Sequence, residues 1–166
     1  MAIVDSILRE LEQEAAVTRR VLERVPNDRL TWRPHAKSMS LGQLALHVAA
    51  TPGQVAALVS QSEYELPELG EFPAATTATE LLPALDQSVA KAKEILRGLD
   101  DQTAMSTFKL TRNGKELLAV PRIGVVRSIM LNHWYHHRGQ LSVYLRLLNI
   151  PVPSIYGPSA DENPFS

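Results

Sequence analysis

The stretch NHWYHHRGQLSVYLRLLNIPVP, residues 132–153, holds no proline before Pro151 and is rich in helix-forming residues. Upstream lie Val126 and Met130; from these through His133, His137, Leu141, Tyr144 and Leu148 the steps are three or four residues. That spacing places all of them on one face of an α-helix. The helix is expected from near Gly124 to near Asn149, because Pro151 and Pro153 cannot continue it. His133 and His137 therefore fall in the stripe expected to be buried. With His136 they put three histidines within five positions of a chain that has only five.

Outward from this helix, three more helical segments can be read. Residues 2 to 25 carry Ile7, Leu8, Leu11, Ala15, Leu22 and Val25 at helical spacing, with Arg, Glu and Gln filling most other positions. Ser40 and Gln43 form a capping box that opens a second helix near Leu41, running to about Gln61. Its expected inner face holds Leu44, His47, Val48, Val55 and Leu58, and Pro52 predicts a bend close to His47. Thr77 and Glu80 repeat the capping pattern before a third helix, which Gly98 is placed to stop.

Between the first two helices, PNDRLTWRPHAKSMS (26–40) reads as a turn whose Trp32 plugs an end of the core. The segment from Glu63 to Ala75 shows no period and reads as a connection. FKLTRNGKELL (108–118) places Asn113-Gly114 between semi-apolar arms, the signature of a small hairpin. Residues 151–166 read as an irregular tail. The expectation is an all-α four-helix bundle, a single domain over 1–166, with a small hairpin near residues 108–118.

Seventeen basic residues against eighteen acidic ones leave a net charge of −1, and no basic cluster is present to track a phosphate backbone. Nucleic acid is therefore disfavoured as a partner. No stretch approaches the roughly 20 apolar residues a bilayer span needs, and MAIVDSILRELEQE lacks the basic and apolar regions of a signal peptide. A cytoplasmic protein without membrane contact is expected. Without cysteine, the chain has no disulfide, thiolate ligand or thiol nucleophile of its own. Nitrogen and oxygen must hold any metal.

His133 and His137 are one helical turn apart, about 6 Å along the axis, and can converge on one ion as the histidines of HExxH do. Trp134, Tyr135 and His136 lie between them, so the glutamate base of that peptidase motif is missing. His47, on the apolar face of another helix, supplies a third nitrogen. Three neutral imidazoles and water make an open site that does not choose among zinc, nickel and ferrous iron. The plain alternative is that each histidine is a hydrogen-bonded packing residue. It suits His47 alone better than the pair, because two close imidazoles buried without a common partner risk unmade hydrogen bonds. His136 points about 100 degrees from His137 and reads as a surface residue or a contact behind the ligands. Arg138 reads as an ion-pairing or helix-surface residue, and Gly139 as a point of close approach. Tyr135, Tyr156 and His136 are candidate polar groups of a cavity. His35, in a loop beside Pro34, carries no signal.

WRPHAKSMSLGQLALHVA (32–49), NHWYHHRGQLSVYLRLLNIPVP (132–153) and YGPSADE (156–162) together resemble, in order, the DinB family, grouped with YfiT-like metalloenzymes. The resemblance covers almost the full chain. It implies a four-helix bundle of up-down-down-up arrangement and a metal triad of His47, His133 and His137. It also implies a divalent ion, zinc or nickel before iron, and for some members a low-molecular-weight thiol such as bacillithiol, mycothiol or glutathione as cosubstrate. Related members isomerise maleylpyruvate with mycothiol. On this reading the protein transfers a thiol to a small electrophilic substrate. A metal-dependent amide or ester hydrolase, and a metal or small-ligand binder without turnover, are the alternatives. Several family members form dimers through helical faces, so a homodimer is expected, with Leu81, Leu82, Leu85, Val89, Ile95 and Leu96 as one surface for it. The same residues also fit a monomer core.

Overall fold

The computed structural model describes residues 2–68 and 70–165. Helix α1 spans Ile3–Leu22 and turns Ile7, Leu11, Val21 and Leu22 into the core. Its first turn is held by Asp5, whose carboxylate accepts from the Ala2 N–H at 2.8 Å, and by Asp101, which accepts from the Ile3 N–H at 2.8 Å. These carboxylates satisfy N–H groups that have no partner within the helix. Helix α2, Leu41–Val59, starts at the expected capping box. The Gln43 N–H donates to Ser40 Oγ at 3.2 Å, and the Ser40 N–H to Gln43 Oε1 at 2.8 Å.

The segment after α2 is more than a connection. Residues Glu63–Glu65 form a strand, β1. After a 3-10 turn at Ala78–Glu80 comes α3, Leu81–Arg97, followed by the short α4, Asp101–Met105, capped by Asp100. Strands β2, Thr107–Arg112, and β3, Lys115–Pro121, make the expected hairpin. At its turn Asn113 and Gly114 both have positive φ, 51° and 71°, which matches the twist of the flanking strands. β1 pairs parallel with β2, Glu63 opposite Lys109 and Glu65 opposite Thr111, so the sheet has three strands. Period alone missed β1 because only three residues pair.

The last helical run comprises α5, Arg122–Val125, a π-helical segment, Val126–Asn132, and α6, His133–Leu147. It ends where Asn149 takes a left-handed φ of 58° and the Ile150 N–H folds back to Leu145 O at 2.9 Å. The π segment changes which residues face the core, since each of its turns takes in one residue more than an α-turn. Val126 and Met130 are buried as expected. Beyond them Leu141 is buried as expected, and the other buried positions, Trp134, Arg138 and Leu145, each lie one residue past an expected one. His133, His137, Tyr144 and Leu148 consequently lie at the edge of the core, half-buried.

Ion pairs fix the directions of the helices. Arg19 with Asp86 and Glu12 with Lys93 make α1 and α3 antiparallel. Glu10 with Arg127 and Glu14 with Arg138 make α1 parallel to the last run. Trp134 bonds to Val48 and Tyr144 to Met39, so α2 opposes α6 and runs alongside α3. α2 and α3 approach closely at Gly53, where an added Cβ would lie 2.8 Å from the Ser88 carbonyl oxygen. The Gly53 N–H donates to Ser88 Oγ at 2.8 Å, and that hydroxyl donates to Ala50 O at 2.9 Å.

The helices share one apolar core, into which β2 inserts Phe108. Two expectations about packing are corrected. Trp32 is half-buried, edge-on to Tyr144, and the tryptophan of the core is Trp134. Gly139 is exposed, and among the described residues no neighbouring element comes within 4 Å of where its Cβ would lie. In α3 Leu81, Leu85 and Leu96 are buried, while Leu82, Val89 and Ile95 are half-buried. The tail is irregular but strapped down, by Asp161 to Arg146 and by Glu162 to Arg20. Among the described residues no helix is long and apolar enough to cross a membrane.

Candidate metal centre

The antiparallel packing of α2 on α6 brings His47 against His133 and His137. Pro52 contributes to this packing. It has no N–H to give to Val48 O four residues earlier, and the Trp134 indole N–H donates to that carbonyl instead, at 2.8 Å. Val48 and Trp134 directly follow His47 and His133 in sequence, so this bond sets the two histidine-bearing backbones together. Thr51 Oγ donates to His47 O at 2.6 Å on the same stretch.

His47 Nε2 lies 3.1 Å from His133 Nε2. The His137 ring centre is 4.5 Å from that of His47 and 4.4 Å from that of His133. Each ring offers one ligand atom, and all three atoms lie within 4.8 Å of one another. Two nitrogens bound tetrahedrally to one zinc ion, each near 2.05 Å from it, would be about 3.3 Å apart. The His47–His133 spacing is close to that value, so the residues present fit a divalent ion.

The electrostatics suit the same use. Burial, then the neighbouring His137 and His133, hold His47 down to about 4. Burial, then His136, lowers His133, and burial, then His133, lowers His137 although its bond to Gln140 acts the other way. All three rings are therefore uncharged at neutral pH, the form that ligates. His137 Nδ1 lies 2.8 Å from Gln140 Oε1. An amide oxygen only accepts, so Nδ1 carries the proton and the Nε2 lone pair is left for an ion.

A cavity of about 270 Å³ opens beside His47, lined also by Leu46, Ala50, Gln54, Phe72 and Pro73. Phe72 stands edge-on to His47 with ring centres 5.7 Å apart, and Gln43 Nε2 holds its carbonyl at 3.0 Å. The capping glutamine of α2 thus also fixes one wall of the cavity.

The structure brings together His47, His133 and His137 and leaves the other candidates outside. His136 is exposed, its ring centre 5.0 Å from that of His137. His35 is exposed in its loop, accepting from the Lys37 N–H at 3.1 Å. Tyr135 and Tyr156 are not placed as polar groups of the cavity, because their hydroxyls turn to α1. Tyr135 donates to Glu10 at 2.9 Å and Tyr156 to Glu14 at 2.8 Å. Burial and then Glu10 raise the Tyr135 phenol well above its ordinary range. Arg138 is an ion-pairing residue, with Glu14 at 2.6 Å, but 1% exposed and so not on the helix surface. Sequence reasoning missed Gln140 and Phe72. The spacing of Gln140, three residues after His137 on one helix, was its available signal; Phe72 lies in an aperiodic loop and had none.

The DinB family model matches residues 1–163. The chain belongs to the DinB family. It is 26% identical over 164 residues to the uncharacterized protein YrdA of Bacillus subtilis strain 168, covering 96% of this chain and 91% of that one. A DinB-like protein from Bacillus cereus ATCC 10987 shares the fold with a TM-score of 0.71 at 22% identity, over 92% of this chain and 97% of that one. The DinB-like protein YjoA from Bacillus subtilis does so with a TM-score of 0.66 at 19% identity, over 89% and 96%. These likenesses establish a DinB-like helical bundle, here carrying a small sheet, and the histidine cluster sits within that family fold.

Proposed function

We propose that this DinB family protein is a divalent-metal-dependent transferase of the cytoplasm, with His47, His133 and His137 as the ligands of zinc or nickel, or of iron. It joins a low-molecular-weight thiol to a small electrophile. The observation that carries the reading is the convergence of three uncharged imidazoles from two helices at the edge of the core, beside a cavity. When bound, the ion supplies Lewis acidity that lowers the pKa of an incoming thiol. Gln140 holds His137 in the ligating tautomer. Phe72, Leu46 and Ala50 exclude water on one side and present an apolar wall to the substrate.

The chain contains no cysteine, so in thiol transfer the sulfur arrives with the cosubstrate, as the family resemblance implies. One feature favours thiol transfer over hydrolysis. No carboxylate lines the cavity beside His47 among the described residues, so no proton-transfer group of the kind used in metal-assisted hydrolysis stands there. The same reading takes the protein as a homodimer, with half-buried Leu82, Val89 and Ile95 of α3 as its apolar surface.

Elemental analysis of untagged protein tests the first part. About one ion per chain is expected in wild type, with loss in His47→Ala and His137→Ala. Metal-dependent consumption of bacillithiol, mycothiol or glutathione with a chloronitrobenzene electrophile, abolished in His133→Ala, is expected next. Turnover of esters or amides without thiol would turn the reading to a hydrolase, and metal uptake with neither activity to a binding protein. Protein that takes up no zinc, nickel or iron would refute it.

A further inference from the structure

A second cavity adjoins the one beside His47. Also of about 270 Å³, it shares Ala50 and Gln54 with the first and continues between α2 and α3 past Gln87 to Lys91. The two helices are parallel and touch at Gly53 and Ser88, which brings Gln87 and Lys91 alongside Gln54. The combined groove changes chemistry along its length. Near His47 its walls are Leu46, Phe72 and Pro73. At the middle it offers the amide of Gln54, and at the far end the amide of Gln87 and the ammonium of Lys91. Lys91 is exposed and makes no ion pair among the described residues. From His47 to Gln54 is seven residues of helix, roughly 10 Å, and Lys91 follows Ser88, the residue against Gly53, by three positions on the parallel helix.

We infer that this groove binds an elongated anionic small molecule, its acid end at Lys91, its apolar stem along Leu46 and Phe72, and its reactive end at the histidine cluster. The inference deepens the proposed function and rests on it for the identity of the reactive end. The physical case is complementarity. An apolar stem removes water from Leu46 and Phe72, Gln54 and Gln87 offer hydrogen bonds, and an exposed ammonium with no ion pair among the described residues is available for a carboxylate. A molecule much shorter than the groove reaches one end only, and a neutral one leaves Lys91 unmatched. Lys91 and Phe72 are thus assigned as specificity-determining residues, acting on affinity and on chain length.

The test uses zinc-loaded protein and matched probes, read by calorimetry. Mercaptopropionate, mercaptohexanoate and mercaptooctanoate are compared with the alkanethiols of the same chain length. The two longer acids are expected to bind about two- to fivefold more tightly than their neutral counterparts, as one ion pair to an exposed ammonium provides. Mercaptopropionate is expected to show no such advantage. Lys91→Ala should erase the advantage without changing alkanethiol affinity, Lys91→Glu should reverse it, and Phe72→Ala should weaken acid and alkanethiol alike. Equal binding of acids and alkanethiols to wild type, or equal loss of both in Lys91→Ala, would overturn the inference. Zinc content is measured on each sample. If none is taken up, the proposed metal chemistry fails by itself. Octanoate against octanol on metal-free protein then tests the groove: a Lys91-dependent preference for the acid upholds it, and equal binding overturns it.

Discussion

The Trp134 indole N–H is bonded to the Val48 carbonyl, which Pro52 leaves without its helical donor. One side chain thereby repairs a defect in α2 and joins α2 to α6, one residue beyond His47 on the first helix and one beyond His133 on the second. Pro52 is thus coupled to the placement of the candidate ligands.

Trp134→Phe keeps an aromatic ring in the core but leaves the Val48 carbonyl buried without a donor. Losing that partner costs about 1–3 kcal/mol, and the smaller ring adds a cavity contribution. Denaturant unfolding is expected to show this loss, and metal titration a weaker affinity, since His47 and His133 lose their shared anchor. Adding Pro52→Ala provides an N–H for Val48 O. The double variant should be more stable than the sum of the two single effects, and strict additivity would show that the bond does not join the two sites energetically.

Gln140 acts on His137 through one hydrogen bond, from its Nδ1–H. Replacing it with Leu keeps the bulk and removes the acceptor. A fall in zinc affinity of about 10-fold or more is expected, in the range seen when such supporting bonds to ligands are lost. Stability should change little, because Gln140 is exposed. Competition with a chromophoric chelator measures the first and thermal unfolding of the metal-free protein the second. Unchanged affinity would mean that His137 needs no help in presenting Nε2.

The bundle was legible because its helices announce themselves twice, by period and by caps: Ser40 with Gln43 opens α2 where expected. The hairpin was legible from Asn113-Gly114, whose positive φ values few other dipeptides accept. The pairing of His133 and His137 was legible from four-residue spacing, and the addition of His47 from its apolar face together with the family resemblance. Their depth was not. A stripe counted at the α-helical period runs equally well through His133 and His137 or through Trp134, Arg138, Leu141 and Leu145, and after the π segment at Val126–Asn132 the structure buries the second set and leaves the histidines at the edge. No residue in VRSIMLN marks a π turn. β1 was invisible for a related reason, since its partner is a distant strand and three residues carry no period.

Folded-state burial lowers all three histidines, His47 to about 4, from an unfolded value near 6.5. Between those values the unfolded chain takes up protons that the folded one refuses. Stability therefore rises with pH through this window and is lost as pH falls. Lowered carboxylates such as Glu10 and Asp161 act in the same direction, but only around and below their unfolded values near 4. The histidine effect is isolated between about pH 5 and 6.5. Metal-free wild type should lose stability across it on acidification, and His47→Gln should lose less. Bound zinc should steepen the loss, because protons displace the ion. A flat profile in metal-free wild type would mean the rings titrate as in the unfolded chain.

Behind the cluster, on the α1 side of α6, Arg138 is 1% exposed and pairs with Glu14 at 2.6 Å. Its remaining donors reach Thr18 Oγ at 3.1 Å, Glu14 O at 3.2 Å and the Tyr156 hydroxyl, while its guanidinium lies 5.2 Å from the Tyr135 ring centre. Glu14→Ala strands a buried charge, and the expected cost is about 3–5 kcal/mol. Replacing the pair together, Glu14→Leu with Arg138→Met, removes the charge with its partner and should recover most of that loss. Tyr156→Phe should cost less than Glu14→Ala, since it removes a hydroxyl and leaves the ion pair. Arg138 directly follows His137, so these variants also separate packing from ligation. The double variant should keep zinc affinity near wild type if Arg138 serves the fold. A large loss of zinc in a variant of wild-type stability would instead make Arg138 a positioning residue for His137.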